Sequence, residues 1–360
     1  MIELFVCGSY FLFLIVLFLM IPDTSASGVA ATDGTGIRKK VLFSIVFAGM
    51  LLFQPQQLAA PAPTAKRKRR SMNSIFHELG DYYTRRAYRM DKKAFWKLHK
   101  SVYKEMGYNI KPSPTSKKKH KNGARNGLIP SPTRLSCAIR YFAGGAPYDI
   151  ALSHGISVRE VYISVWRTVN AVNKTTTFDI TFPNHKEQEV ISKQFKKKSR
   201  ASFDGLVGCI DGMLLWMEQP NPWCCSLAGV GPKKFFCGRK KKFGLNFTAV
   251  VDIYRRFVYV DISHPGATSD YLAFASCTLK GRLENGLLAA GKYIFGDNAY
   301  VNTKYMVTPY RQGNKLQDNY NFYHSQLRIT VECAFGMLIQ RWSILRRPLP
   351  SAMGVLCVVC

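Results

Sequence analysis

Short apolar runs alternate with amphipathic helical stretches from Leu206 onward. Four of these runs have the length and composition of strands in a buried sheet. They are residues 206–210, 247–251, 257–262 and 292–296. Residues 269–279 and 325–345 instead place apolar side chains at helical spacing. The order strand, strand, strand, helix, strand, helix predicts an α/β domain over residues 200–350.

Residues 131–175 carry only helical patterns. The first predicted helix ends near Gly144, and a second occupies residues 146–152. Ser157 is placed to cap a third helix over residues 158–172. A helix, a glycine-containing turn and a second helix are typical of a helix-turn-helix, so we predict a small all-α DNA-binding region here. A plain helical hairpin is the alternative interpretation.

Residues 66–130 are interpreted as a basic tail and linker with one helical patch. Apolar side chains recur in the patch at roughly helical spacing, at Tyr88, Met90, Phe95, Leu98 and Val102. Residues 111–126 are rich in Pro, Ser and Lys, which is typical of linkers.

The chain carries a large positive charge. Its 51 lysines and arginines exceed its 22 acidic residues, which gives a formal net charge of +29. Such an excess implies a polyanionic partner, either nucleic acid or an anionic membrane surface. Residues 66–125 alone hold 19 of the basic residues and four acidic ones, and residues 66–70 resemble a nuclear-localisation cluster. We therefore expect a nuclear protein that binds DNA.

Residues 1–65 form an apolar extension that conflicts with this expectation. Residues 4–22 are uncharged and about long enough to span a bilayer, and a second apolar run follows at residues 41–53. Such segments predict a membrane anchor or a secretory signal, with a membrane or secretory location as the alternative to the nucleus. We favour the interpretation that the extension is a gene-model artefact.

Three acidic residues stand at similar points of the predicted fold. Asp211 and Asp297 each follow an apolar strand, and Glu332 lies beside the apolar stripe of the last helix. Carboxylates at strand ends can converge, and their oxygens are the ligands that Mg²⁺ or Mn²⁺ prefers. Each acid also has a common structural interpretation, as a turn, a cap or a surface residue. Together these residues, here called the acid trio, predict a divalent metal site.

The sequences around the acids resemble motifs of Harbinger-type transposases and the nucleases derived from them. Residues 208–212 (GCIDG) are similar to the first-aspartate motif, and residues 296–300 (GDNAY) with residues 308–310 (TPY) are similar to the second. Residues 331–336 (VECAFG) resemble the glutamate helix, whose glutamate follows the second aspartate by 35 positions. The likeness also includes Asn321, His324, Ser325, Arg328, Arg341 and Trp342. It extends over roughly residues 85–350.

This resemblance implies a ribonuclease-H-like catalytic domain that cleaves DNA phosphodiester bonds with two divalent ions, Mg²⁺ or Mn²⁺, held by the acid trio. It also implies a Myb-like DNA-binding partner, and a homo-oligomer is a further expectation. The family usually has Thr-His soon after the first Asp-Gly, where this chain has Met213-Leu214, and a further helix where this chain ends at Cys360. A catalytically inactive, transposase-derived DNA-binding protein with a truncated C-terminus is therefore the alternative function.

Further residues are expected to contact DNA or to support the site. The predicted DNA-contacting residues are Arg239, Lys240, Lys241, Lys242 and Arg341. Asp270 matches a recurring family position and is expected to cap or support a helix, with a catalytic role as the alternative. His324 is expected to begin the last helix, with orientation of water or DNA as the alternative.

Overall fold

A computed structural model describes residues 68–106, 128–222, 225, 230–311 and 313–349. These residues form a helical N-terminal part, a mixed sheet and a long C-terminal helix around a shared hydrophobic core. The apolar extension at residues 1–65 and the linker at residues 111–126 lie outside the described residues. Within the described part of the chain, no helix is long and apolar enough to cross a membrane.

Two helices, rather than one helical patch, begin the described chain. Helix α1 spans Met72–Tyr88 and helix α2 spans Lys92–Val102. The prediction of one patch was wrong because Arg89 adopts a left-handed conformation, with a φ of 58°, and ends α1. The Asp91 carboxylate then accepts a hydrogen bond from the Ala94 amide at 2.7 Å and caps α2. The residues that suggested the patch are all buried, namely Tyr88, Met90, Phe95, Leu98 and Val102.

Helices also form residues 131–174, as the pattern predicts. They are α3 (Ser131–Phe142), α4 (Pro147–His154) and α5 (Val158–Lys174). Gly155 ends α4 in a left-handed conformation, and the Ser157 side chain caps α5. Helix α6 (His185–Lys198) was not predicted, although Asn184 and Glu187 form a capping box at its start.

A buried histidine closes helix α4. His154 Nδ1 donates a hydrogen bond to the Ile150 carbonyl oxygen at 2.9 Å, and its neutral Nε2 accepts one from Ser136 Oγ at 2.6 Å. The residue is 1% exposed. Burial lowers the pKa of His154 from 6.5 to about 4, so the ring is neutral near physiological pH.

We expect His154 to make the stability of the protein depend on pH. As the pH falls below about 6.5, the ring is protonated more readily in the unfolded chain, and the free energy of unfolding falls by about 2 kcal/mol near pH 5. Chemical denaturation at several pH values measures this loss. The variant His154→Gln is expected to lose this share of the pH dependence, whereas exposed His77→Gln keeps it. Equal pH dependence in the two variants would contradict the assignment.

A six-stranded mixed sheet forms the centre of the C-terminal part. Its strands are β1 (Leu206–Trp216), β2 (Phe236–Cys237), β3 (Lys242–Val251), β4 (Phe257–Pro265), β5 (Tyr293–Phe295) and β6 (Met306–Val307). The neighbours run β2-β3-β1-β5-β6, and β4 also pairs with β3. Strands β1, β3 and β4 are antiparallel, whereas β5 and β6 run parallel to β1.

Strand β1 is longer than its apolar run predicts. Asp211 does not end the strand, because it pairs with Ala249 of β3 and the pairing continues as far as Trp216. The prediction that the strand ends at Asp211 is therefore wrong, and so is the alternative interpretation of Asp211-Gly212 as a turn. Backbone hydrogen bonds with β3 continue the strand beyond Ile210, although most of the side chains there are only partly buried.

Three further helices complete the described fold. They are α7 (Asp270–Ser276), α8 (Thr278–Glu284) and α9 (Lys315–Arg341). The single helix predicted at residues 269–279 is divided at Cys277, whose ψ of 159° is extended. Helix α9 begins before Ser325 because Asn314 and Gln317 form a capping box. The α9 side chains that face the core include Val331, Phe335 and Leu338.

Candidate active site

Strand β1 carries Asp211 in the middle of the sheet, between β3 and β5. The Asp211 side chain is 16% exposed, and its Oδ1 accepts a hydrogen bond from the Gly212 amide at 2.8 Å. Burial, and then the negative charges of Asp297 and Asp270, raise the pKa of Asp211 to about 6. A cation placed at this point would favour the ionised carboxylate.

The neighbouring parallel strand positions Asp297. Phe295 of β5 pairs with Cys209 of β1, two residues before Asp211, and Asp297 follows Phe295 by two residues. The pairing of the two strands therefore places Asp297 near Asp211, and the charge of Asp297 acts on the Asp211 carboxyl. The Asp297 Oδ1 atom also accepts a hydrogen bond from the Ala299 amide at 2.9 Å, which holds the turn after β5.

Helix α9 supplies Glu332, and Arg328 joins it to the first aspartate. The Glu332 side chain is 49% exposed, beside the buried Val331. One turn earlier on α9, Arg328 places its Nη1 3.2 Å from Asp211 Oδ2 and its Nη2 2.9 Å from Glu332 Oε1. A single guanidinium therefore links the first and third members of the acid trio. Arg328 belongs to the motif of the last helix, but the sequence alone predicted no role for it in the site.

The acid trio is not grouped as a ready set of metal ligands. Among the described residues, no three His, Cys, Asp or Glu side chains are close enough together to hold a metal ion. The three carboxylates nevertheless supply the oxygen donors that suit Mg²⁺ or Mn²⁺. Because Arg328 contacts both Asp211 and Glu332, an ion held by the whole trio would replace those two contacts.

Asp270 lies beside the first aspartate. The expectation was a helix cap or support, and its capping half was wrong: Ser269 caps helix α7, and Asp270 is the first residue of that helix. The Asp270 Oδ1 atom accepts a hydrogen bond from Asn246 Nδ2 at 3.0 Å. A Cβ atom added to Gly212 would clash with the same oxygen. The lack of a side chain at Gly212 therefore lets a further carboxylate approach Asp211.

Tyr300 is a site residue that sequence analysis missed. It is 3% exposed, and its buried hydroxyl has no hydrogen-bond partner within the described part of the chain. Burial, and then the charges of Asp270, Asp211 and Asp297, raise its pKa well above the usual value. The hydroxyl therefore lies in the field of three carboxylates. Its place in the motif of residues 296–300 was the only signal in the sequence.

The predicted DNA-contacting residues lie in a hairpin turn, at the start of β3 and at the end of a helix. Residues 238–241 form the turn between β2 and β3. Arg239 Nη2 lies 3.9 Å from Asp270 Oδ2, so the structure brings this arginine to the acidic site. Arg341 is the last residue of α9. The exposed lysines of the turn and of the start of β3 are Lys240, Lys241 and Lys242.

His324 is part of the core. It lies within α9 rather than at its start, so the predicted helix-start position was wrong. The His324 ring centroid is 4.1 Å from that of Phe295, and Nε2 donates a hydrogen bond to the Val307 carbonyl oxygen at 3.3 Å. Burial lowers its pKa to about 4. The neutral ring thus joins α9 to strands β5 and β6.

Comparison with known proteins links this site to a family. Residues 210–359, which include the acid trio, match the family model described as DDE superfamily endonuclease. Protein ALP1-like of Arabidopsis thaliana is 24% identical over 309 residues, covering 78% of this chain and 73% of the relative. HARBI1 of Bos taurus, a protein named as a nuclease, is 22% identical over 224 residues, covering 61% of this chain and 61% of the relative.

A second Arabidopsis thaliana protein, named as an antagonist of like heterochromatin protein 1, is 22% identical over 255 residues. The match covers 64% of this chain and 62% of that relative. The chain therefore spans less than two thirds of the length of this relative and of HARBI1. No solved structure matches the chain.

Proposed function

We propose that this chain, whose residues 210–359 match the DDE superfamily endonuclease family model, is a metal-dependent DNA nuclease of the Harbinger type. The observation that carries the proposal is the placement of Asp211 on β1 and of Asp297 just after the neighbouring parallel strand β5, near enough for their charges to interact, with Glu332 linked to Asp211 through Arg328. The similarity to ALP1-like and to HARBI1 supports the Harbinger-type assignment.

The sheet supports a ribonuclease-H-like fold as part of the proposal. Strands β1, β3 and β4 form an antiparallel unit, and β5 and β6 extend it in parallel on the other side of β1. In this arrangement Asp211 comes from β1, Asp297 from the turn that follows the adjacent strand β5, and Glu332 from the helix that packs on the sheet. Two divalent ions, Mg²⁺ or Mn²⁺, would be held by Asp211, Asp297 and Glu332.

Such ions, when bound, activate water and stabilise the leaving oxygen of a phosphodiester. The chain's own residues would prepare the site for them. Partly buried Asp211 and its neighbour Asp270 concentrate negative charge that favours a cation. Arg239 in the β2-β3 turn would bind the DNA phosphate next to the acids, and Lys240 and Lys241 would bind adjacent phosphates.

Helices α4 and α5 support the proposal of a helix-turn-helix that binds DNA. They are joined by the left-handed Gly155 and by the capping residue Ser157, which is a short helix–turn–helix connection. The exposed side chains of α5 include Arg159, Tyr162 and Arg167. We propose that this helix contacts duplex DNA, and that the protein acts in the nucleus, with a Myb-like partner and as a homo-oligomer.

The experiment that tests this function is plasmid nicking by the full chain with Mg²⁺ or Mn²⁺, beside a sample with EDTA. The proposal predicts nicking that requires the metal ion. Duplex binding without nicking would overturn the nuclease assignment and favour the non-catalytic DNA-binding protein. The replacement of the family's Thr-His by Met213-Leu214 is the feature that favours this second function.

We expect Arg328→Gln to strengthen divalent metal binding at least roughly tenfold, since each hydrogen bond to a charged group contributes about 1.5–3 kcal/mol and Arg328 competes with the ion for two carboxylates. Titration of Mn²⁺, followed by the rise in melting temperature, measures the change. The exposed Arg282→Gln on α8 removes the same charge away from the trio and is expected to behave like the parent. Weaker Mn²⁺ binding by Arg328→Gln would show instead that the guanidinium organises the site.

A further inference from the structure

Four arginines gather where the N-terminal helices meet the end of the chain's described part. They are Arg86 in helix α1, Arg89 directly after it, Arg140 in α3, and Arg346 in the 3-10 helix at Ser343–Arg346. We call them the arginine cluster. A cavity of about 670 Å³ lies against helix α1 and the residue after it. It is lined by Asp81, Tyr82, Arg85, Arg86 and Arg89.

The contacts of the cluster with the protein leave its charge uncompensated. Arg89 donates hydrogen bonds to the Ala143 carbonyl oxygen at 3.5 Å and to Ser343 Oγ at 3.2 Å, and Arg140 donates to the Ala87 carbonyl oxygen at 3.2 Å. These acceptors are neutral. Within the described residues, Arg89 Nε is buried without a hydrogen-bond partner. The guanidinium groups are thus held in place by groups that do not neutralise them.

The electrostatic surroundings of Arg89 are cationic. Burial, and then the positive charges of Arg346, Arg140 and Arg86, lower the pKa of Arg89. Asp81, the acidic residue of the cavity, is already paired with Lys92 at 2.9 Å. Holding like charges together at the surface costs free energy that a bound anion would offset.

Two exposed tyrosines border the cluster. Tyr82 and Tyr83 are 63% and 62% exposed, and their ring centroids are 5.1 Å apart. Arg86 donates a hydrogen bond to the Tyr82 hydroxyl at 3.1 Å and lies over the Tyr82 ring. Tyrosines beside arginines can contact phosphate and sugar, whereas a single small anion would engage only one or two of the guanidinium groups.

We propose that the arginine cluster is a second DNA-binding site, which holds the phosphate backbone of duplex DNA away from the acid trio. The proposal rests on DNA being the substrate. Helix α9 runs nine residues from Glu332 to Arg341, a rise of about 13 Å, before the chain turns to Arg346. Duplex DNA advances about 3.4 Å for each base pair, so a few base pairs are enough to span that rise. The site would hold the flanking duplex while the trio acts on the strand to be cut.

The test is the anisotropy of a short fluorescent duplex with the full chain in EDTA, measured over a series of salt concentrations. Arg86→Gln/Arg346→Gln is expected to weaken binding roughly tenfold and to reduce the slope of log Kd against log salt by about 2, because two phosphate contacts are lost. The control Lys186→Gln/Lys197→Gln removes two exposed charges from α6 and is expected to stay close to the parent. Arg86→Lys/Arg346→Lys keeps the charge and is expected to retain most of the slope.

Equal affinity and slope in the Gln variant and in the Lys186/Lys197 control would overturn the proposal, as would a parent chain that does not bind duplex. Circular dichroism and the melting temperature show whether the Gln variant is folded. If it is unfolded, the Lys variant decides, since a loss of slope with charge retained contradicts backbone binding. If the parent chain binds duplex through the cluster but does not nick plasmid, the proposal of this DNA-binding site stands and only the nuclease function is overturned.

Discussion

Asp211→Asn is expected to reduce metal-dependent nicking by at least about a hundredfold, because a bound metal ion contributes several kcal/mol and each 1.36 kcal/mol is a factor of ten. Asp211 is partly buried on the central strand β1, near Asp297 and Asp270. Asparagine keeps the shape of the side chain and can still accept the Gly212 hydrogen bond, but it removes the charge that holds a cation. The rate of supercoiled plasmid loss measures the effect.

A matched control separates this effect from a general change of charge. Asp318→Asn removes an exposed carboxylate from the first turn of α9 and is expected to nick at the parent rate. Duplex binding is expected to be near the parent level in both variants, because neither aspartate is among the basic residues proposed to hold the backbone. An Asp211→Asn variant that nicks as fast as Asp318→Asn would remove Asp211 from the mechanism.

Phe295→Ala is expected to lower the free energy of unfolding by about 3–5 kcal/mol, as is usual for removal of a buried aromatic ring. Phe295 is fully buried in β5, with its ring centroid 5.1 Å from that of Phe203 and 4.1 Å from that of His324. The strand carries Asp297 two residues later. We therefore expect nicking to fall by more than the loss of folded protein explains. Chemical denaturation and nicking rates per folded molecule measure the two effects.

The control for this substitution lies on the surface of α9. Phe322 is 58% exposed, and Phe322→Ala is expected to change the free energy of unfolding by less than about 1 kcal/mol. A similar loss in both variants would mean that the contacts of Phe295 do not stabilise the fold. A destabilised Phe295→Ala whose folded fraction nicks at the parent rate would mean that Asp297 is positioned without this ring.

Local patterns in the sequence predicted the elements whose causes are local. The helices of residues 131–174 follow from apolar spacing and from caps such as Ser157, and the strand at residues 257–262 follows from its apolar run. The predicted positions of Asp297 after its strand and of Glu332 on the last helix agree with the structure. Their functional assignment stays a prediction.

Features that depend on contacts between residues far apart in the chain could not be predicted from local sequence patterns. Strand β1 continues past Ile210 because β3 pairs with it, and no apolar pattern marks that extension. The link from Arg328 to Asp211 joins residues 117 positions apart, and the contact of Arg89 with Ser343 joins residues 254 positions apart. A guanidinium between two members of the trio is therefore visible only once helix α9 is packed on the sheet.

Calorimetric titration of Mn²⁺ into the full chain tests the central claim most directly. The comparison is with a triple variant, Asp211→Asn, Asp297→Asn and Glu332→Gln, which keeps the size of each side chain and removes the three charges. We predict that the parent binds Mn²⁺ and that the triple variant loses this binding while remaining folded by circular dichroism. Equal Mn²⁺ binding by the two proteins, or no binding by the parent, would contradict the assignment of a metal site to these residues.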